Sequence, residues 1–149
     1  MFEVIEYNEY EMDKRIRAYC KHICKTHIEV LRKDHKTHSK FWDLPAMAVI
    51  CHDRGRTHFA KGYSHHPAGT KWHSILEMEL RRLGNIGKMS CIGKGYVIGN
   101  CAEQHAGNNY MKEFHESHLD NLYFTEAVRP RTMEIFPYCD NCKTVFPNL

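Results

Sequence analysis

The chain has 149 residues, 42% of them hydrophobic and 26% charged, with a net charge of +3. That size fits a single domain, 1–149, with enough apolar residues for a core without disulfide staples. No apolar run approaches the ~18 residues of a membrane span, which argues against a membrane partner. The opening MFEVIEYNEYEMDKR is acidic where a secretory signal is basic and then apolar, so the expected compartment is intracellular (cytoplasmic).

Residues 10 to about 35 place Met12, Ile16, Tyr19, Ile23, His27 or Ile28, and Leu31 at steps of three and four. That spacing predicts a long amphipathic helix. Cys20 and Cys24 lie beside the apolar stripe. With His22, His27, His35 and His38 they resemble the ligand pattern of a zinc finger, but an uninterrupted helix has no turn to fold such ligands together. Both thiols are expected in the core. From 14 to 61 there are twelve Lys or Arg against four acids, a net +8 that leaves −5 on the rest. Such a segment suits either a polyanionic partner or a solvated face.

After SKFWDLP, the run Ala46 to Cys51 is apolar throughout, as in a strand covered on both faces. HDRG marks a turn and Thr57 to Tyr63 alternates loosely, which predicts a β-hairpin. SHHPAGT, whose His65 and His66 are expected at the surface, leads to a second amphipathic helix with Trp72, Ile75, Leu76, Leu80 and Leu83 on one side. GNIGKMSCIGKGYVIG then holds five of the nine glycines. It lacks the residue order of a phosphate loop and reads as a mobile or close-packed approach to the next helix. That helix is expected from Asn100 to about His118, then a strand around NLYFTEAV and a final short helix opening at CDNCKTVF. The order implies an α/β fold with a small central sheet flanked by helices.

Seven cysteines cannot all pair internally, and their uneven placement suits reduced thiols and a metal. Cys139 and Cys142 form a C-x-x-C, and Cys101 can add a third sulfur. Three protein ligands with one open position describe a catalytic zinc site, whereas four describe a structural one. His105 is the candidate fourth ligand for the structural alternative. Cys101 and Cys139 each begin a predicted helix, where free N–H groups stabilise thiolates. Glu103 has two readings. It either completes a capping box with Asn100 or moves protons beside the metal.

A C-x-E on one helix followed by C-x-x-C on the next resembles the signature of the cytidine deaminase-like superfamily of zinc deaminases. GNCAEQHA with CDNCKTVFP looks most like the YwqJ-related deaminases, a group associated with bacterial toxin domains. The likeness is sharp over roughly 97 to 146 and topological before that. It implies a three-layer cytidine deaminase-like fold, shortened at the C-terminus. It also implies Cys101, Cys139 and Cys142 as Zn2+ ligands and Glu103 as the catalytic proton shuttle. Tyr138 separates Pro137 from Cys139, which shifts the usual Pro-Cys junction by one.

The activity so implied is hydrolytic deamination of cytosine to uracil. Alternatives are a free nucleoside, nucleotide or adenine deaminase, and a non-enzymatic zinc-stabilised binding module. Tyr96 and Tyr138 are candidates to stack on the target base, with Tyr110 beside them, and Asn100 is a candidate to read it. The +8 segment with Trp42, Tyr63 and Trp72 favours single-stranded DNA or RNA as partner. Arg54 and Arg56 in the hairpin turn are expected to flank the pocket. A toxin domain would further imply delivery into a target cell and an immunity or inhibitor protein as partner.

Overall fold

The computed structural model describes residues 8–33, 45–92 and 95–149. His35, His38, Trp42 and Gly93 lie outside the described residues, as do the side chains of His27, Ile28 and Leu31.

Helix α1 spans Glu9–Lys33. The Asn8 side-chain oxygen accepts the Glu11 N–H at 2.9 Å, which caps its start. Of the stripe predicted from spacing, Met12, Ile16 and Ile23 are buried and Tyr19 is partly buried against them, and Cys20 beside the stripe is buried with them. Cys20 is fully buried as expected, whereas Cys24 is only partly buried and donates to the Pro130 carbonyl at 3.3 Å, so neither is arranged as a finger ligand.

Strands β1 (Ala48–His52) and β2 (Phe59–Tyr63) form the expected antiparallel hairpin. β1 is buried along its whole length and divides the core by alternation. Ala48 and Ile50 face α1, while Val49 and Cys51 face the opposite cluster. Each fully buried Val or Ile contributes roughly 1.5–3 kcal/mol.

That opposite cluster is built by α2 (Ser74–Leu83), α3 (Ala102–Glu113) and α4 (Asp140–Val145). α2 buries Leu76 and Leu80, and its last turn carries Arg81 and Arg82 against the dipole. α3 lies directly against β2. A Cβ added to Gly62 would fall on the backbone nitrogen of Ala106, so only glycine lets strand and helix approach this closely.

α3 is shorter than the expected Asn100 to His118. Cys101 is extended (φ −71°, ψ 147°) and is itself the N-cap. At the other end His115 takes a positive φ of 52°, and the Glu116 N–H bonds the Met111 carbonyl at 3.1 Å. These are the features of a Schellman stop, and they end the helix before His118.

The single strand expected around NLYFTEAV is two pieces, β3 (Tyr123–Phe124) and β4 (Ala127–Val128), with β5 (Ile135–Phe136) following. Both pieces pair antiparallel with β1, and β5 pairs with β4. β1 pairs Cys51 with Phe124 and Ala48 with Val128, so three steps on β1 face four on its partner. One extra residue is accommodated as a β-bulge. Thr125 serves the bulge with both its backbone and its side chain. Its N–H bonds the Ile50 carbonyl at 2.9 Å, and its hydroxyl accepts the Ile50 N–H at 3.0 Å. The five strands form one antiparallel sheet with β2 at one border. Among the described residues no helix is long and apolar enough to cross a membrane.

Candidate metal centre

Two helix starts build the site. Cys101 and Cys139 are the N-caps of α3 and α4, and neither makes a side-chain cap bond, which leaves both sulfurs free to face each other. Cys142 follows one turn into α4, the step at which a C-x-x-C presents both sulfurs to one point. The Cys101 and Cys139 sulfurs are 3.1 Å apart and those of Cys139 and Cys142 are 3.5 Å apart.

All three ligand atoms lie within 4.8 Å of one another, and together they can hold one metal ion. Tetrahedral sulfur ligands at about 2.3 Å from zinc would stand about 3.8 Å apart, close to what the cluster shows. The spacing exceeds the ~2.05 Å of a disulfide, and all three cysteines are free. Among the described residues no fourth His, Cys, Asp or Glu joins the group.

Local hydrogen bonds divide the charge unequally. Contacts with the Cys101 and Cys142 sulfurs, and the backbone N–H groups of Cys142 and Asn141, hold the Cys139 pKa well below that of an ordinary thiol. Cys101 is pushed up mainly because it gives its proton to Cys139. Burial pushes the Cys142 thiol well above its ordinary value.

Glu103 sits on the first turn of α3, only 4% exposed. Its Oε2 is 3.4 Å from the Cys142 sulfur, so the side chain turns toward the cysteines and away from a capping role on Asn100. Burial raises its pKa. A buried carboxyl beside a thiol cluster is the kind of group that can take and return a proton.

Two fully buried amides that sequence reasoning passed over hold the frame. Gln104 accepts the Gly99 N–H at 2.7 Å and donates to the Cys142 sulfur at 3.6 Å. Asn141 accepts the Ser90 hydroxyl at 2.7 Å and donates to the Tyr96 carbonyl at 3.0 Å. The glycine-rich approach is thereby fastened to both motif helices. It is close-packed at its end, where Gly99 has φ 89° and a Cβ there would meet Pro67 at 2.8 Å.

His105 is not a ligand. Its Nε2–H donates to the His65 carbonyl at 3.0 Å, and its ring stacks on that of His65 with centroids 3.6 Å apart. Burial, then the neighbouring His65 charge, lowers its pKa to about 4. The fourth ligand of the structural-zinc alternative is therefore engaged elsewhere. His65 and His66 are exposed, as expected, but His65 is fixed by this stack.

The remaining candidate residues divide. Tyr138 is next to Cys139, and its hydroxyl donates to the Thr125 carbonyl at 2.9 Å, the carbonyl at the bulge. Burial and then the Glu103 charge push its pKa up to about 12, which keeps it a donor. Asn100 is half-buried and accepts the His65 N–H on its carbonyl at 3.1 Å; it does not cap α3. Tyr96 is 42% exposed, and Tyr110 is buried in the core.

Arg54 and Arg56 are not at the cluster. β2 runs from the end of α3 toward its start, since the His65 carbonyl meets His105 while His58 packs edge-on against Phe114, the α3 C-cap, at 5.1 Å. The hairpin turn that carries both arginines is therefore at the opposite end of α3, where Arg56 reaches Glu9 at 3.4 Å. The turn thus lies beyond the far end of α3 from Cys101, while Arg56 lines a cavity together with Thr125 and Tyr138.

No protein-family model, curated protein or solved structure matches this chain.

Proposed function

We propose that this chain is a zinc-dependent hydrolytic deaminase of the cytidine deaminase-like kind, converting cytosine to uracil in single-stranded nucleic acid. The observation that carries the reading is a three-sulfur cluster with no fourth protein donor among the described residues and a buried glutamate 3.4 Å from one sulfur. The α1 layer, the antiparallel hairpin and the two motif helices opening on cysteines support the same reading.

In this reading Cys101, Cys139 and Cys142 hold zinc, which when bound supplies the Lewis acidity that makes water a nucleophile near neutral pH. Glu103 takes a proton from that water and gives it to N3 of the ring as the new C4–O bond forms. It then takes the remaining proton from the C4 hydroxyl and passes it to the exocyclic nitrogen as C4=O forms, the C4–N bond breaks and ammonia leaves. Burial, which raises the Glu103 pKa, favours the protonated form that this cycle needs as its proton donor. The backbone N–H groups at the start of α4 and the Gln104 amide share the charge of the sulfurs.

The test is incubation of purified protein with mixed DNA, RNA and nucleosides, read by mass spectrometry for the amine-to-carbonyl change. Conversion by the native chain and none by Glu103→Ala is the expected result. No conversion of any of them, with zinc bound, would instead make the chain a zinc-stabilised binding module.

A further inference from the structure

The free edge of β2 carries a groove of about 620 Å3 that the metal centre does not use, lined by Phe59, Ala60, Lys61, Asn109, Lys112 and Glu113. β2 borders the sheet, and the Asn109 amide ties the strand edge to α3 by donating to the Lys61 carbonyl at 2.9 Å. Asn109 and Lys112 continue a line that begins at Cys101 and passes through His105, each step three or four residues along α3. Residues so spaced share one helix face. At about 1.5 Å per residue the line runs about 16 Å from the metal centre into the groove.

Cations occupy the far part of that line and rings the near part. Lys61, Lys71 and Lys112 are exposed; Lys61 carries its Nζ 5.5 Å from the Tyr19 ring centroid, on the α1 side of the strand edge, and among the described residues none of the three is ion-paired to a carboxylate. Lys112 reaches the Lys71 carbonyl at 3.1 Å, which draws the segment before α2 alongside as a second wall. Toward Cys101 the His65 ring is stacked on His105 at 3.6 Å, Trp72 is 5.2 Å from His105, and Tyr63 is 5.1 Å from His65. Tyr63 is 40% exposed and His65 is also exposed, so both offer ring surface to solvent.

We propose that this groove is a binding track for single-stranded nucleic acid. Lys71 and Lys112 face its phosphates, with Lys61 at the strand edge, and Tyr63 and His65 stack a base adjacent to the one at the metal centre. The assignment of that last base rests on the deaminase reading; the track itself does not. Lysines alone would suit any polyanion, but rings at the end of the line suit one whose repeating unit has a π-face. Polyglutamate, an acidic chain without rings, has no π-face to stack on them.

Binding of fluorescent oligo(dT) and oligo(U) to the native, zinc-loaded chain, read by anisotropy over a salt series, tests the track. Neither probe has an amine to lose, so binding is read apart from chemistry. Lys71→Gln and Lys112→Gln should each weaken binding and reduce the slope of log affinity against log salt by about 0.7. Tyr63→Ala should weaken it by about five- to a hundredfold while leaving the slope alone. Arg54→Gln, at the other end of α3, should change neither. Unchanged slopes in both lysine variants would overturn the track. So would capture of polyglutamate that depends on Tyr63 as oligo(dT) does. Turnover of free cytidine with no oligonucleotide binding sinks the track alone; oligonucleotide binding with no deamination of any substrate sinks the deaminase reading alone.

Discussion

The sulfurs of Cys101 and Cys139 stand 3.1 Å apart although 38 positions separate them in the chain. Each is the N-cap of its helix, so helix packing sets the distance and no loop has to find it. Side chains that hold the two helix starts together therefore govern the metal as well as the fold.

Glu103→Gln should lower turnover by about 10²–10⁴ while the chain keeps about one zinc, because the carboxyl moves protons and is not one of the three sulfur ligands. Zinc content measured on the purified variant decides it. Loss of metal would place Glu103 among the ligands.

Cys139→Ser and Cys142→Ser should each empty the site and lower the midpoint of thermal unfolding by at least about 5 °C, since metal binding energy is partly folding energy. Cys20→Ser, buried against α1's own partners, should retain full zinc. A zinc-replete Cys142→Ser would contradict the three-sulfur site.

Gln104→Met keeps the volume but loses both the acceptor for Gly99 and the donor to Cys142. Zinc affinity should fall roughly ten- to a hundredfold. Chelator competition near neutral pH measures it; an unchanged affinity would reduce Gln104 to a filler of space.

Much of this was legible in the sequence. Three- and four-residue spacing gave α1 and its buried stripe, and the apolar run and HDRG turn gave the hairpin. C-x-E and C-x-x-C gave the cluster, because ligand chemistry demands those spacings. Gln104 and Asn141 were not legible, because their partners are backbone groups and a hydroxyl brought in by the glycine-rich segment. The placement of Arg54 and Arg56 depended on the direction of β2 along α3, which no local pattern encodes. The bulge at Thr125 was hidden for a similar reason, since alternation over so short a strand does not reveal one surplus residue.

Gly62→Ala should cost about 1–3 kcal/mol, because the added methyl lands on the Ala106 backbone and pushes α3 off β2. Denaturant unfolding measures the loss. Zinc affinity should fall with it, since Ala106 lies one turn beyond Glu103.

His105 makes stability depend on pH in one direction. Its folded pKa of about 4 is below its ordinary 6.5, so as pH falls the unfolded chain takes up the proton first. Stability is full above about pH 6.5 and declines by about 1–3 kcal/mol toward about pH 4. His105→Gln should remove that part of the decline, read as the difference between native and variant unfolding free energies at about pH 7 and about pH 5. Parallel pH curves would mean the stacked ring is not the group responsible.

The bulge at Thr125 is also a change of parity. Phe124 and Val128 are four positions apart, and in an unbroken strand they would point to the same side of the sheet. Here Phe124 packs with Phe146 on the α3 side and Val128 joins the α1 side. The surplus residue therefore lets two large side chains of like phase serve opposite cores. Apart from Thr125, residues between Phe124 and Val128 can vary in identity more readily than in number: removing one would send Val128 to the wrong face of the sheet.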